Sequence, residues 1–238
     1  GTTHFKKNDL VKYLQPIGVQ FGADLNAYTS FDETVYMLSV PTDTARLVEQ
    51  AFLILEDWAH GQVFDSTEVV SERGVVQEEW RGRLGAGARM LDVAIPIILK
   101  GSKYAARIPI GTQESILGAQ PSSLRRFYQD WYRPDLMAVV AVGDFDVAAV
   151  EGLIKQHFSG VKRAANPKPR TASVVPGNTA PLVAITSDVE ATSSSVSIEI
   201  KHPGHLITSV GDFRTNLIEQ LYFGIINARL REITQKPD

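Results

Sequence analysis

The run Ser71-Glu72-Arg73-Gly74-Val75-Val76-Gln77-Glu78-Glu79-Trp80 constrains this chain more than any other stretch, because a helical wheel places two acids on its apolar side. At about 100° per residue, Glu72 and Glu79 lie seven positions apart and within roughly 20° of each other. Val69, Val75, Val76 and Trp80 flank that direction, while Val70, Arg73, Gly74, Gln77, Glu78 and Arg81 take the opposite side. The pattern predicts a helix that buries both carboxylates. An unpaired buried carboxylate is costly, so such groups are expected to be ion-paired, hydrogen-bonded or bound to a metal. Two carboxylates seven apart stand about 10 Å apart along the axis and cannot both grip one ion. One can ligate while the other orients a neighbouring ligand. Equally open on the residues alone is a pair of buried ion pairs, with Arg83, Arg125 or Arg126 as partners.

The 238 residues suffice for one large domain or for one domain and part of another. A formal net charge of -3 with no basic stretch argues against nucleic acid as a partner. No run approaches the ~20 apolar residues that span a bilayer. The absence of cysteine removes disulfides, thiolate nucleophiles and Cys-type zinc sites, and suits either redox compartment. Gly1-Thr2-Thr3-His4-Phe5-Lys6-Lys7 carries no initiator Met and no signal-peptide pattern, which reads as a cut in a longer protein.

Along the chain, Asn8 or Asp9 caps a short helix that Pro16 and Gly18 stop. Residues 19–29 and 34–40 read as two strands joined by the polar turn Ser30-Phe31-Asp32-Glu33, a hairpin. Thr42 or Asp43 opens a helix with Leu47, Val48, Ala51, Phe52, Leu55 and Trp58 on one face, ending near Gly61. The glutamate helix starts after Asp65, with Glu68 as its capping-box partner. Glycines and Pro96 break the pattern beyond Gly82, predicting helical pieces and loops to about residue 120. A helix over 121–131, a continuous apolar strand over 136–142 and a helix from Val147 to Phe158 follow. The fold class is therefore α/β or α+β, with helices packed on a mostly antiparallel sheet. Residues 166–181 read as a linker rich in proline and polar residues. Alternation over 195–201 predicts a strand, and 211–235 a long amphipathic helix. The expected organisation is a first domain over 1–165, the linker 166–181, and the beginning of a second domain over 182–238.

Glu72 to Trp80 resembles the distal glutamate helix of the pitrilysin/insulinase family of zinc peptidases, in which zinc is held by His-x-x-Glu-His and a glutamate on a later helix. Four more segments resemble the same family in the same order: Phe21 to Tyr36, Pro109-Ile110-Gly111-Thr112, Phe127 to Pro134, and Val142-Gly143-Asp144-Phe145. The likeness runs nearly end to end and is nearest to large bacterial periplasmic members built from several such domains.

By position, the resemblance implies that Glu79 is a zinc ligand and that Glu72 is an outer carboxylate of the catalytic site, steadying a zinc-bound histidine. Glu78 falls toward solvent on the wheel and is not chosen. Asn26, Ala27, Tyr28 and Thr29 match the edge strand on which the family lays out an extended peptide by β-addition. The implied cofactor is Zn2+. The implied partners are a peptide or unfolded polypeptide and the remaining domains of the parent protein, with a homodimer compatible and the bacterial periplasm as compartment. The departure is that no His-x-x-Glu-His occurs in residues 1–238. In the family it precedes a Gly-Thr like Gly1-Thr2, so it is expected upstream, with the family's substrate-holding Arg and Tyr expected beyond Asp238. One ligand alone should not bind zinc tightly. Some subunits of the family have lost the motif and only bind peptides, which leaves a non-catalytic binder as the alternative. None of the five histidines replaces the motif: His4, His60 and His157 belong to helices or their approaches, and His202-Pro203-Gly204-His205 reads as a surface turn.

Overall fold

The computed structural model describes residues 1–204 and 206–235. Two units are distinguished: Gly1–Pro176 with Pro181–Ser194, and Gly177–Ala180 with Ser195–Asp238. About half of the described residues are helical, and the class is α+β.

The first unit begins with helix α1 (Asp9–Leu14), which tightens into a 3-10 turn over Gln15–Ile17. Gly18 ends that turn at φ +84°, a left-handed conformation that costs a glycine little. Strands β1 (Leu25–Thr29) and β2 (Thr34–Leu38) pair antiparallel, with Ala27 opposite Tyr36 and Thr29 opposite Thr34. The expected hairpin is present, but its first strand is shorter than 19–29. Gly22 at φ +88° turns the chain first, its N–H reaching the Leu25 carbonyl at 2.9 Å.

Helix α2 (Ala45–His60) follows and is the strut of the unit. Its Ile54 meets Leu14 and Val19 in the core, and Leu10, Tyr13, Ile17, Leu25, Leu38 and Trp58 pack around them. Helices α3 (Ser66–Gly82), α4 (Ala86–Ile98), α5 (Gln113–Gly118), α6 (Pro121–Trp131) and α7 (Val147–Phe158) complete the unit. α3 packs on α5, and α2 packs on α7. Pro96 does not break α4 as expected. It gives up one i→i−4 bond, but the helix runs only two residues beyond it, and Leu99 still donates to the Ile95 carbonyl at 2.8 Å.

The hairpin is the one strand ladder among the described residues. The strand expected over 136–142 is instead a 3-10 turn (Pro134–Leu136) and a ladder-free segment in which Val140 and Val142 are almost fully exposed. Residues 195–201 likewise lack a ladder, with Val196, Ile198 and Ile200 exposed. An apolar run supplies side chains for a strand, but the strand itself needs a neighbouring backbone to pair with. In the second unit the long helix is α8 (Val210–Thr234), where Ser209 and Asp212 form a reciprocal capping box. His205, half of the pair read as a surface turn, lies outside the described residues.

Candidate functional site

The start of α3 is set by Asp65, whose carboxylate accepts from the amides of Thr67 (2.9 Å) and Glu68 (3.1 Å). The Glu68 amide above all, and less strongly that of Thr67, holds the Asp65 carboxyl below the usual aspartate value. The helix is anchored further along by Arg73, which donates to the Ala119 carbonyl, and at its end by Arg83, which meets Asp92 at 3.0 Å.

α3 buries a different face from the one expected. Val69, Arg73, Val76, Gln77 and Trp80 are half-buried, whereas Glu72 and Glu79 are exposed and Val75 is 60% exposed. The half-buried set follows a helical stripe at i, i+4, i+7, i+8 and i+11. Arg73 and Gln77 belong to it because long polar side chains can bury their stems, which a count of apolar residues misses. The two carboxylates are therefore not enclosed. They line one shoulder of the helix, about 90° from the centre of the packed stripe.

Their surroundings separate them from the third acid of the run. Glu78 is held by Arg81 at 2.5 Å. Among the described residues neither the Glu72 nor the Glu79 carboxylate has a hydrogen-bond or ion-pair partner. Of the arginines named as candidate partners, Arg83 is engaged with Asp92, and Arg125 donates to the Val63 and Phe64 carbonyls. No three His, Cys, Asp or Glu side chains among the described residues converge so as to hold a metal ion. Glu79 thus offers one free oxygen donor of a kind zinc accepts, and not a complete ligand set.

The β1 residues rest on a separate support. Ser39 donates to Asp24 and Ser30 to Glu33, so the alternation of an antiparallel ladder turns the main-chain groups of Asn26 and Tyr28 toward β2. Those of Ala27 and Thr29 point to the open edge. The Asn26 side chain spans this edge, accepting from the Ala27 amide at 2.8 Å and donating to the Gly22 carbonyl at 3.1 Å. The Tyr28 hydroxyl donates to Glu33 at 3.1 Å, and that bond raises its pKa. Beneath the sheet, the Tyr36 ring lies 5.6 Å from Trp58, and its hydroxyl is 2.6 Å from that of Tyr132. Burial, and then this hydrogen bond, raises the Tyr36 pKa.

Three polar clusters carry no signal in the sequence. Asp57 is only 2% exposed, and its carboxylate accepts from the Thr2 hydroxyl (2.5 Å), the His4 amide (3.0 Å) and His4 Nδ1 (2.8 Å). Glu56 meets His157 Nδ1 at 2.6 Å and His60 Nε2 at 3.3 Å. The Tyr104 hydroxyl donates to Asp32 at 2.5 Å. Each joins residues far apart in the chain, except Glu56 with His60.

Comparison with known proteins identifies the setting of this site. Residues 1–83 match the model described as insulinase (peptidase family M16), and residues 119–235 match that of the peptidase M16 inactive domain. A zinc protease PQQL-like protein of Arabidopsis thaliana is 37% identical over 238 residues, which is 100% of this chain and 25% of that protein. The probable zinc protease PqqL of Escherichia coli (strain K12) is 38% identical over 159 residues, 67% of this chain and 17% of that protein. The crystal structure of the first half of the periplasmic protease PqqL from Escherichia coli superposes with a TM-score of 0.68 at 36% identity, covering 74% of this chain and 37% of that one. A mutant of the ferredoxin protease FusC in complex with Arabidopsis ferredoxin gives a TM-score of 0.62 at 30% identity, over 68% of this chain and 18% of that one. The chain spans about a quarter or less of the length of these curated relatives. The two family models, together with these relatives, agree with the resemblance carried by the glutamate helix and its companion segments: the chain belongs to the insulinase (M16) family of peptidases.

Proposed function

We propose that this chain is part of a zinc metalloendopeptidase that hydrolyses peptides or unfolded segments, with Glu79 as a zinc ligand and Glu72 as the carboxylate that orients a histidine ligand. The observation that carries this reading is the state of the acids on α3. Glu78 is tied to Arg81, whereas Glu72 and Glu79 share one shoulder of an anchored helix and have no partner among the described residues. A buried structural carboxylate is normally satisfied by donors, whereas these two are exposed and their oxygens are open to a ligand. In this reading the two histidines and the general-base glutamate come from a His-x-x-Glu-His helix outside these 238 residues. Residues 1–165 form the first domain, 166–181 the linker and 182–238 the start of the next. The periplasm, named for the Escherichia coli relative, is the proposed compartment.

The chemistry that zinc supplies when bound is Lewis-acid polarisation of the scissile carbonyl and acidification of water. Glu79 contributes a negative oxygen donor from a helix whose orientation is set by the Asp65 cap and by Arg73. Glu72, two turns earlier on the same shoulder, would accept a hydrogen bond from the N–H of a histidine ligand and so fix its tautomer. Substrate is laid on the open edge of β1. The Thr29 N–H and the Ala27 and Thr29 carbonyls are available to an added strand, and Asn26 must release the Ala27 amide before that group can join. Asn26 and Tyr28 present their side chains on the sheet face away from Tyr36.

The test is Glu79→Gln in the full-length protein that carries this chain. Zinc stoichiometry by elemental analysis should fall from one toward zero, and peptide cleavage should be lost. Glu72→Gln should weaken both by about 10- to 100-fold, and Glu78→Gln should be nearly silent. Retained zinc in the Glu79 variant moves the ligand to another residue. A wild-type protein that binds peptide, holds no zinc and cleaves nothing is the non-catalytic peptide binder instead.

A further inference from the structure

We infer that Tyr104 and Asp32 form a latch at the tip of the β1–β2 hairpin that positions the open edge of β1 for an extended peptide; the inference rests on the peptide-binding reading of β1 given above. A two-stranded hairpin is marginally stable by itself, so what it is fastened to decides how well its edge is held. Tyr36 fastens the middle, against Trp58 and Tyr132. The tip is fastened elsewhere. The Tyr104 hydroxyl donates to Asp32 Oδ2 at 2.5 Å, the Phe31 and Tyr104 ring centroids are 4.8 Å apart, and Arg170 Nη2 reaches the Asp32 carbonyl at 3.4 Å.

Tyr104 is itself well placed. It is the second residue of a 3-10 turn (Lys103–Ala106) capped by the Ser102 hydroxyl, which accepts from the Tyr104 amide at 3.1 Å. The neighbouring Lys103 amide donates to Ser173 Oγ at 3.1 Å, and its ammonium lies 3.3 Å from Thr171 Oγ1. Three stretches distant in sequence, 31–32, 103–104 and 170–173, thus meet at one end of the hairpin. The hydrogen bond to Asp32 also raises the Tyr104 pKa.

The consequence follows from register. Thr29 is the edge residue nearest the tip, and both its main-chain groups point outward. Releasing the tip lets Thr29 depart from the line that an added strand must match, whereas Ala27 stays pinned through Tyr36. Tyr104 and Asp32 touch neither peptide nor metal. They are positioning residues, and their loss should weaken peptide capture without slowing the bond-breaking step.

The experiment uses the full-length protein and an extended peptide substrate. Tyr104→Phe keeps the ring contact with Phe31 and removes only the hydroxyl. KM should rise about fivefold with kcat within about twofold. Asp32→Asn, with Tyr104 intact, keeps an acceptor oxygen for the Tyr104 hydroxyl and should retain most of the affinity that Tyr104→Phe loses. An unchanged KM, or a fall in kcat at constant KM, overturns the latch. Should the wild type neither bind nor cleave peptide, the reading of β1 fails, and the latch is judged by amide hydrogen exchange in the Tyr104→Phe protein. Faster exchange at Thr29 than at Ala27 supports it; unchanged rates at both overturn it.

Discussion

Helices α2 and α3 follow one another and have nearly equal lengths, 16 and 17 residues, yet α2 encloses acids that α3 leaves open. α2 buries Ala51, Phe52, Ile54 and Asp57, and α3 buries no residue. Two acids on the inner side of α2 have donors, Thr2 and His4 for Asp57 and His60 and His157 for Glu56, while Glu49 on its outer side is exposed. Glu72 and Glu79 of α3 have none among the described residues, and Arg83 and Arg125 are engaged with other groups. A satisfied buried carboxylate holds segments together, and an exposed, unpartnered pair on an anchored helix is free to take a ligand. The contrast distinguishes a strut from a presenting surface inside one unit.

The contrast breaks most visibly under truncation of the core. Ile54, 1% exposed, touches Leu14 and Val19, so Ile54→Ala should cost about 3 kcal/mol in urea unfolding of the 238-residue chain. The same cut on α3, Val75→Ala, should stay within about 0.5 kcal/mol because that side chain is already in water. A large loss from Val75→Ala would mean that α3 is packed on the side described here as open.

A smaller effect sharpens the comparison at the acids themselves. Asp57→Ala strands the Thr2 hydroxyl and the His4 amide in a buried place, and should cost about 2 kcal/mol. Glu72→Ala and Glu79→Ala should each change stability by about 0.5 kcal/mol or less. If either glutamate proves as costly as Asp57, its carboxylate is structural and the zinc reading of α3 loses its basis.

What the sequence disclosed follows the range of the interactions. The hairpin was legible because Tyr28, Val35 and Tyr36 favour strands and Ser30 to Glu33 favour a turn, all within twenty residues of one another. α2 was legible from its apolar stripe. The existence of α3 was legible as well, but its packed face was not. Arg73 and Gln77 are half-buried, Arg73 reaching the Ala119 carbonyl, and a wheel that scores residues by polarity places both in solvent. The clamp of Asp57 on Thr2 and His4 joins positions more than fifty apart, and Tyr104 meets Asp32 across 72. No local pattern encodes such contacts. The apolar runs at 136–142 and 195–201 show the converse limit, since composition names a strand without naming what it pairs with.

The smallest expected effect concerns how the two helices begin. Thr44 precedes α2 without a side-chain cap bond, whereas Asp65 caps α3 through two amides. The Glu68 amide first, and then that of Thr67, hold the Asp65 carboxyl below its ordinary value of 3.8. A carboxylate with a depressed folded pKa contributes stability that is present above the unfolded value and is lost as pH falls through the folded one. Acidification from about pH 5 to about pH 2 should therefore fray the first turn of α3 and leave that of α2 unaffected by this cause. Amide exchange at Thr67 and Glu68, corrected for intrinsic rates, should accelerate over that interval, with no matching change at Leu47. Asp65→Asn keeps an acceptor that does not titrate and should abolish the acceleration. If the acceleration persists in that variant, another acid near the N-terminus of α3 controls the turn, and the orientation of Glu72 and Glu79 depends on that acid.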